Sequence, residues 1–369
     1  MSVVLSSQGV DVPIAVVGGG IGGLTAALAL HRKRLSCAVF EQAAVLGEVG
    51  AGVQVAPNAS RVLRRLELAN ALAEVAVRPA ALTLRRWDDD SPLALMRVSA
   101  PDAPYYTVHR ADLHRVLVAA LPAETVQLSS RCAAVHPDGD RVLIEFADGR
   151  TVTAGLVIGA DGIHSTVRTA LAEDQPRYSG QSVYRALIPA DRVASTLSPD
   201  PAVNLWMGPE QHCVCYPVSG GRVLSFGATM PAADWQEESW TARGELADLL
   251  ACYAGWSPQV LELLQAADAV SRWALHDRAP LASWVSNRIV LLGDAAHPML
   301  PFLAQGVNQA IEDAATVAAC LAEFADLDRS QLALPARRHQ HHQRRDTTSL
   351  IKISQGRLSG SGAPARRCR

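Results

Sequence analysis

Ile14-Ala15-Val16-Val17-Gly18-Gly19-Gly20-Ile21-Gly22-Gly23 is the stretch that decides the fold. Four apolar residues read as a buried strand and the glycines as a tight turn. Gly22 to about Arg32 then reads as an apolar helix, and Cys37–Phe40 as a second strand. This βαβ opening implies a parallel sheet with helices on its faces. Gly18, Gly20 and Gly23 fit the dinucleotide fingerprint. One makes the turn, one lets the backbone approach a pyrophosphate, and one lets helix and strand pack closely. The helix start aims free N–H groups and a positive dipole end at the phosphates. Glu41, 18 residues after Gly23, ends the second strand where it can accept from ribose hydroxyls. Taken alone, such a glycine cluster also reads as a purely structural turn.

Two further glycine-punctuated stretches lie downstream. Gly159-Ala160-Asp161-Gly162-Ile163-His164-Ser165-Thr166-Val167-Arg168 follows the apolar run Leu156–Ile158. Gly293-Asp294-Ala295-Ala296-His297-Pro298 follows Ile289–Leu292 and leads into Pro301 and Ala304-Gln305-Gly306-Val307-Asn308. Each sets an aspartate at a strand's C-terminal end, where open α/β sheets bind ligands. Either aspartate alone reads equally as a helix cap.

Between these motifs, a helix is expected to start at Asn58 as N-cap, with Val62, Leu63 and Leu66 on its apolar side. Asp148–Gly149, between Val142–Phe146 and Thr151–Thr153, is a hairpin signal. From Tyr178 to Asp277 short strands dominate: Val183–Ile188, Val203–Met207, His212–Val218 and Val223–Ala228, the last two joined through Gly220–Gly221. Helices over Thr241–Tyr253 and Pro258–Ala267 should follow. Arg288–Leu292 then returns to a parallel-type strand, and Gly306–Phe324 to a long apolar helix. The fold class is α/β. A Rossmann-like domain (1–177, completed by 281–330) is interrupted by an antiparallel-sheet domain with helices (178–280), and 331–369 form a tail.

The chain has 369 residues, 49% hydrophobic and 19% charged, enough apolar material for a substantial core. A formal charge of −2 argues against nucleic-acid binding by bulk electrostatics. The charge is uneven: 336–369 hold nine Lys/Arg against Asp346, a solvated basic tail. His339, His341 and His342 lack Cys or acidic partners at ligand spacing, so no metal site is expected. Seven scattered cysteines without a CxxC pair fit a reducing compartment. Neither a signal peptide nor an apolar run of 18 residues is visible, so a cytoplasmic protein without membrane contact is expected.

With the three motifs in this order, the chain resembles the single-component FAD-dependent aromatic hydroxylases of the para-hydroxybenzoate-hydroxylase fold, more narrowly the salicylate-hydroxylase-like branch. Gly50-Ala51-Gly52-Val53-Gln54-Val55-Ala56-Pro57-Asn58, His109-Arg110-Ala111-Asp112-Leu113 and Tyr216-Pro217-Val218 look like that branch too. The resemblance covers about residues 12–325 and fails in the tail. It implies that Gly18, Gly20, Ile21, Gly22, Gly23, Glu41 and Gln42 hold the ADP half of FAD. Gly52 and Val53 would approach the flavin, Arg110 the phosphate–ribityl region and Asp294 the ribityl hydroxyls. Asp161 and Gly162 would serve both FAD and the nicotinamide donor. Pro301, Gly306, Val307 and Asn308 would face the flavin, with helix N–H groups stabilising negative charge at N1 of the reduced ring.

The implied activity is hydroxylation of a small phenol, salicylate-like hydroxybenzoate or hydroxylated N-heterocycle, with NADH or NADPH and O₂, through a flavin C4a-hydroperoxide. A single GxGxxG fits a nicotinamide cofactor that visits transiently. An ionised ring hydroxyl accepts electrophilic oxygen best, so a general base is expected. His212 and Tyr216, four apart on a strand and hence on one face, are candidates, with Gln54 beside them. Cys213 and Cys215 would face the opposite way as core residues, and His297 would buttress the flavin loop. Arg185 reads equally as a partner for a substrate carboxylate or as half of a structural ion pair. Two alternatives stand: a monooxygenase for larger polycyclic or urate-like substrates, and a degenerate flavin-binding paralogue. A monomer or homodimer is expected.

Overall fold

The computed structural model describes residues 11–47, 51–98, 100, 102–193, 200–232, 243–286 and 288–323. The expectations for the basic tail, for Thr241 and Ala242 and for Phe324 lie outside these residues. The helix expected over Thr241–Tyr253 begins only at Leu246, because Arg243–Gly244 pairs as a strand with Val270–Ser271.

The opening unit forms as read. Strand Val12–Val17 turns through the glycines into helix Ile21–Arg32 and returns as Ala38–Phe40, parallel to the first. The helix is apolar on nearly all sides because it is buried on nearly all sides. Leu24, Leu28 and Leu30 have no exposed surface, each contributing about 2 kcal/mol of burial. Thr151–Gly159 and Ile289–Leu291 extend the parallel sheet on the far side of the first strand. The sheet order is 285–286, 289–291, 151–159, 12–17, 38–40, 126–127, and the hairpin 132–138/141–146 is added antiparallel to 151–154. Gly149 at φ +85° supplies the left-handed residue that the tight turn needs.

The second sheet runs 243–244, 270–277, 177–189, 223–231, 211–218, 202–208, 81–86, 92–97. Every neighbour pair is antiparallel except 202–208 with 81–86. Two of its strands, Ala81–Arg86 and Pro92–Arg97, therefore come from within residues 1–177, which sequence patterning assigned to the cofactor domain. Neither reads as a strand from sequence: Leu93-Ala94-Leu95-Met96 is an unbroken apolar run without period-two alternation, and no local pattern says which sheet such a segment joins.

One face of this sheet is covered by helices Leu246–Cys252 and Pro258–Gln265. There Tyr184, Ala186, Ile188, Trp206, Cys213, Cys215 and Phe226 form a core with Leu249, Tyr253, Leu263 and Leu264. Period-two alternation turns Val183, Arg185, Leu187, His212, Val214 and Tyr216 to the other face. One boundary needs correction. Helix Pro57–Arg65 is capped by Ala56, with Pro57 in its first turn, so Asn58 is not the N-cap. The Asn58 amide instead donates to Glu312 (2.7 Å) on the long helix Gly306–Glu323 and to Gln305 (3.3 Å) just before it.

Candidate active site

Val17, Gly159 and Leu291 lie in register on three adjacent parallel strands. The three motif loops therefore leave the sheet side by side at its C-terminal edge. Steric need dictates the first loop. A Cβ on Gly18, whose φ is +107°, would stand 2.4 Å from the Ala160 carbonyl oxygen, and one on Gly23 only 2.0 Å from that of Gly18. Gly22 brings helix Ile21–Arg32 against Leu292 and Ala310. Gly20 differs: a Cβ there would meet nothing within 4 Å, and no side chain caps the helix that it starts. Free helix N–H groups thus open onto empty space beside a residue without a side chain. That arrangement fits a pyrophosphate.

Glu41 sits at this loop. Its carboxylate accepts from the N–H of Gly19 (2.6 Å) and of Ala43 (2.8 Å). Gln42 beside it is exposed. Beneath the loop, buried His114 makes a 2.9 Å hydrogen bond from Nε2 to the Gly19 carbonyl oxygen. Burial pulls its pKa down against that bond.

Asp161 takes the cap role. It accepts from Ser165 Oγ, from Thr166 N (2.7 Å) and from Val167 N (3.1 Å), while burial pushes its carboxyl up. Gly162 has φ +78° and open space at its Cβ position. Arg168, with no exposed surface, locks the second loop to the third by donating to the carbonyls of Ala295 and Ala296 at 3.0 and 2.9 Å. Asp174 holds the same guanidinium at 2.8 Å. In the third loop Asp294 is exposed and Gly293 is pinned by Asp313, which also binds His297 at 2.6 Å. Burial alone would lower His297, but the hydrogen bond and charge of Asp313 raise it.

Strand Gly52–Val55, paired with Tyr106–His109, joins floor to roof. Gly52 N donates to Ser225 Oγ on the roof at 3.0 Å. On the floor side Asn308, with no exposed surface, accepts from Ala56 N (2.7 Å) and donates to the carbonyls of Gln54 (2.9 Å) and Ala304 (2.6 Å). Ala304 has a left-handed backbone, φ +52°, costing of order 1 kcal/mol for a residue with a Cβ. Its bond to Asn308 helps hold it there. Pro301 opens the short turn before it, and Gly306 and Val307 begin the long helix.

Arg110 starts helix Arg110–Ala119 behind the His109 cap. Burial and the charge of Arg185 lower its pKa, and Asp294 opposes them, so these three charged groups share one neighbourhood. On the roof Tyr216 is buried, which pushes its hydroxyl up. The charge of Arg185 and hydrogen bonds with Ser225 and Gln54 pull it back. Tyr105 donates to Gln54 Oε1 at 2.6 Å. His212 Nδ1 lies 3.0 Å from Thr229 Oγ1, its ring meets Phe302 edge-on at 5.5 Å, and burial lowers its pKa to about 4.

Gln54, Tyr216 and Arg110 thus gather under the roof with Arg185, Ser225 and Tyr105, with His212 four residues from Tyr216 along the same strand face. Sequence reasoning missed Tyr105, Ser225, Thr229, His114 and the stapling side chain of Asn308. No motif marks Tyr105, Ser225 or Thr229. His114 lies one residue beyond a stretch singled out above, and only the fold reveals what it touches. Among the described residues, no cluster of His, Cys, Asp and Glu could hold a metal, and no helix is long and apolar enough to cross a membrane.

Comparison with known proteins bears directly on this geometry. A family profile described as an FAD binding domain matches residues 11–345. The 3-amino-4-hydroxybenzoate 2-monooxygenase PtmB3 of Streptomyces platensis is 45% identical, with 93% of this chain and 89% of that protein aligned. The 6-hydroxynicotinate 3-monooxygenase of Bordetella bronchiseptica is 38% identical over 82% of this chain and 80% of its own. Among solved structures, Klebsiella pneumoniae HpxO complexed with FAD and uric acid superposes with a TM-score of 0.81 at 28% identity, covering 94% and 90% of the two chains.

Proposed function

This chain belongs to the FAD-binding-domain family and is an FAD-dependent aromatic hydroxylase, and from that premise we propose that it hydroxylates a small hydroxylated aromatic acid, a hydroxybenzoate or its N-heterocyclic counterpart. NADH or NADPH is the electron donor in this reading and O₂ the oxygen source. One observation carries it: three glycine loops leave adjacent parallel strands beneath a roof that bears a half-buried histidine and a buried tyrosine. When bound, FAD supplies the redox chemistry that activates oxygen.

The protein's share is placement, charge and proton handling. Gly20 and the uncapped helix N-terminus cradle the pyrophosphate, and Glu41 serves the adenosine ribose after exchanging one of its backbone donors. Gly306 and Val307 offer helix N–H groups to the electronegative edge of the isoalloxazine. Arg110 and Asp294 hold the ribityl–phosphate region. At the ring, His212 remains neutral at pH 7 because it is buried. If Thr229 gives its proton to the His212 carbonyl (3.0 Å), Nδ1–H donates to Thr229 Oγ1 and Nε2 keeps a lone pair. Nε2 can then take the proton of the substrate's ring hydroxyl. Tyr216, fixed by Gln54 and Ser225, orients that hydroxyl.

The relatives named for hydroxybenzoate and hydroxynicotinate chemistry are closer in sequence than HpxO, so an aromatic acid is favoured over urate or a polycyclic substrate. The test is a substrate-stimulated NAD(P)H oxidation screen with product identification by mass spectrometry. A product heavier by one oxygen atom from a hydroxyaromatic acid is expected. Stimulation by uric acid or polycyclic phenols alone would refute the substrate class.

A further inference from the structure

We propose that Arg185 is the anion-recognition residue of the roof, gripping the carboxylate of an aromatic acid next to the Tyr216 hydroxyl; this deepens the hydroxylase reading and rests on it. Arg185 lies on strand Arg177–Pro189 with Val183 and Leu187, on the face turned away from the helix-covered core. Its guanidinium carbon stands 5.1 Å from the centroid of the Trp273 ring, a bed that fixes the plane of the fork. Nε is buried without a hydrogen-bond partner, and no carboxylate among the described residues pairs with this side chain. A second cation, Arg110, shares its neighbourhood, and Arg110 has the charge of Asp294 beside it. The structural ion pair, one of two readings open from sequence, is therefore not formed. A sheltered cation left this way is unfavourable until an anion arrives.

The sheet register supplies room for that anion. Arg185 lies opposite Gly227, and Gly227 opposite Val214. Along this row the middle strand carries no side chain. A Cβ on Gly227 would meet Val214 Cγ1 at an ordinary 3.5 Å and the Tyr184 carbonyl oxygen at 4.0 Å, so between Arg185 and Val214 this row is bare backbone. The next row holds Leu187, Ser225 and Tyr216. A flat ring lying against Gly227 would put one substituent at Arg185 and another at Tyr216. A carboxylate and a ring hydroxyl are the pair of groups that this spacing suits.

The experiment uses the FAD-loaded full chain and reads flavin difference spectra. Ligands are 3-hydroxybenzoate, 4-hydroxybenzoate, 6-hydroxynicotinate and their carboxamides, compared in wild type, R185K and R185Q. Charge-assisted hydrogen bonds of this kind correspond to about 10- to 100-fold in affinity. Wild type should prefer the acid over its amide by that factor. R185Q should lose the preference through weaker acid binding, with amide affinity within about threefold of wild type, and R185K should fall between. Equal loss for acid and amide, no loss for either, or a drop in FAD content would assign Arg185 to packing or to the cofactor and overturn the proposal. A wild-type enzyme that hydroxylates only uncharged rings overturns it too while leaving the monooxygenase reading intact. A chain that takes up no FAD sinks both.

Discussion

Replacing Asn308 by alanine removes three hydrogen bonds at once from a site with no exposed surface. It orphans the Ala56 N–H and the carbonyls of Gln54 and Ala304 that surround this buried side chain. At roughly 1 kcal/mol or more for each group, the expected loss is about 3 kcal/mol. That corresponds to a fall in Tm of about 6–12 °C, taking about 2–4 °C per kcal/mol. Asn308→Asp sharpens the test. One oxygen still accepts from Ala56 N, but the other now faces two carbonyls where a donor stood. The folded state should raise that carboxyl above its ordinary value near 4. Stability of N308D should then increase as pH falls toward that value, because the protonated form regains one donor. N308A should show no such trend. Thermal unfolding of both variants in the apo state between pH 8 and 5 measures this directly. If N308D matches wild type at pH 8, or N308A loses less than about 1 kcal/mol, the staple assigned to Asn308 is wrong.

Other consequences are as definite. Gly20→Ala should leave apo stability within about 0.5 kcal/mol and abolish FAD retention, whereas Gly23→Ala should destabilise the fold, since its Cβ meets backbone at 2.0 Å; calorimetry and the A450 of purified protein separate the two. The His297–Asp313 pair has a raised histidine pKa, so its stabilisation is complete below about pH 6.5 and fades as pH rises through the folded value. The Tm gap between wild type and Asp313→Asn should accordingly narrow from pH 6 to pH 9. Burial keeps His212 neutral down to about pH 4, so its imidazole resonances in ligand-free protein should not titrate between pH 8 and 5.5; a midpoint near 6.5 would contradict its burial. Tyr216→Phe should lower kcat by about 10-fold or more while FAD binding persists.

The parts of the fold written in local chemistry were legible in the chain. The glycine loop, the Asp148–Gly149 hairpin and the strands of the roof follow from steric need and alternation, which neighbouring residues decide. What stayed hidden depends on pairing across long separations. Ala81–Arg97 carries no clear alternation, and its two strands are defined by pairing with each other and, through 81–86, with 202–208, more than a hundred residues later. Asp161 and Asp294 stand at equivalent strand ends, yet one carboxylate is occupied by its own turn and the other is exposed beside the long helix. Asn58 has the chemistry of a cap, but Pro57 already begins the helix, and Glu312 across the domain claims the amide. His212 and Tyr216 share one face of the roof because they stand four residues apart on a strand. Their partners Thr229 and Ser225 come from the next strand, whose register no local pattern specifies.

Because 81–97 threads through the roof before the rest of that sheet is made, the substrate-facing layer is woven from two separate lengths of chain. Anyone grafting the ceiling of one hydroxylase onto the cofactor base of another must transplant both lengths together. Exchanging 177–277 alone would leave two foreign strands along the seam, and hybrids cut at that single boundary should misfold even when each parent is sound.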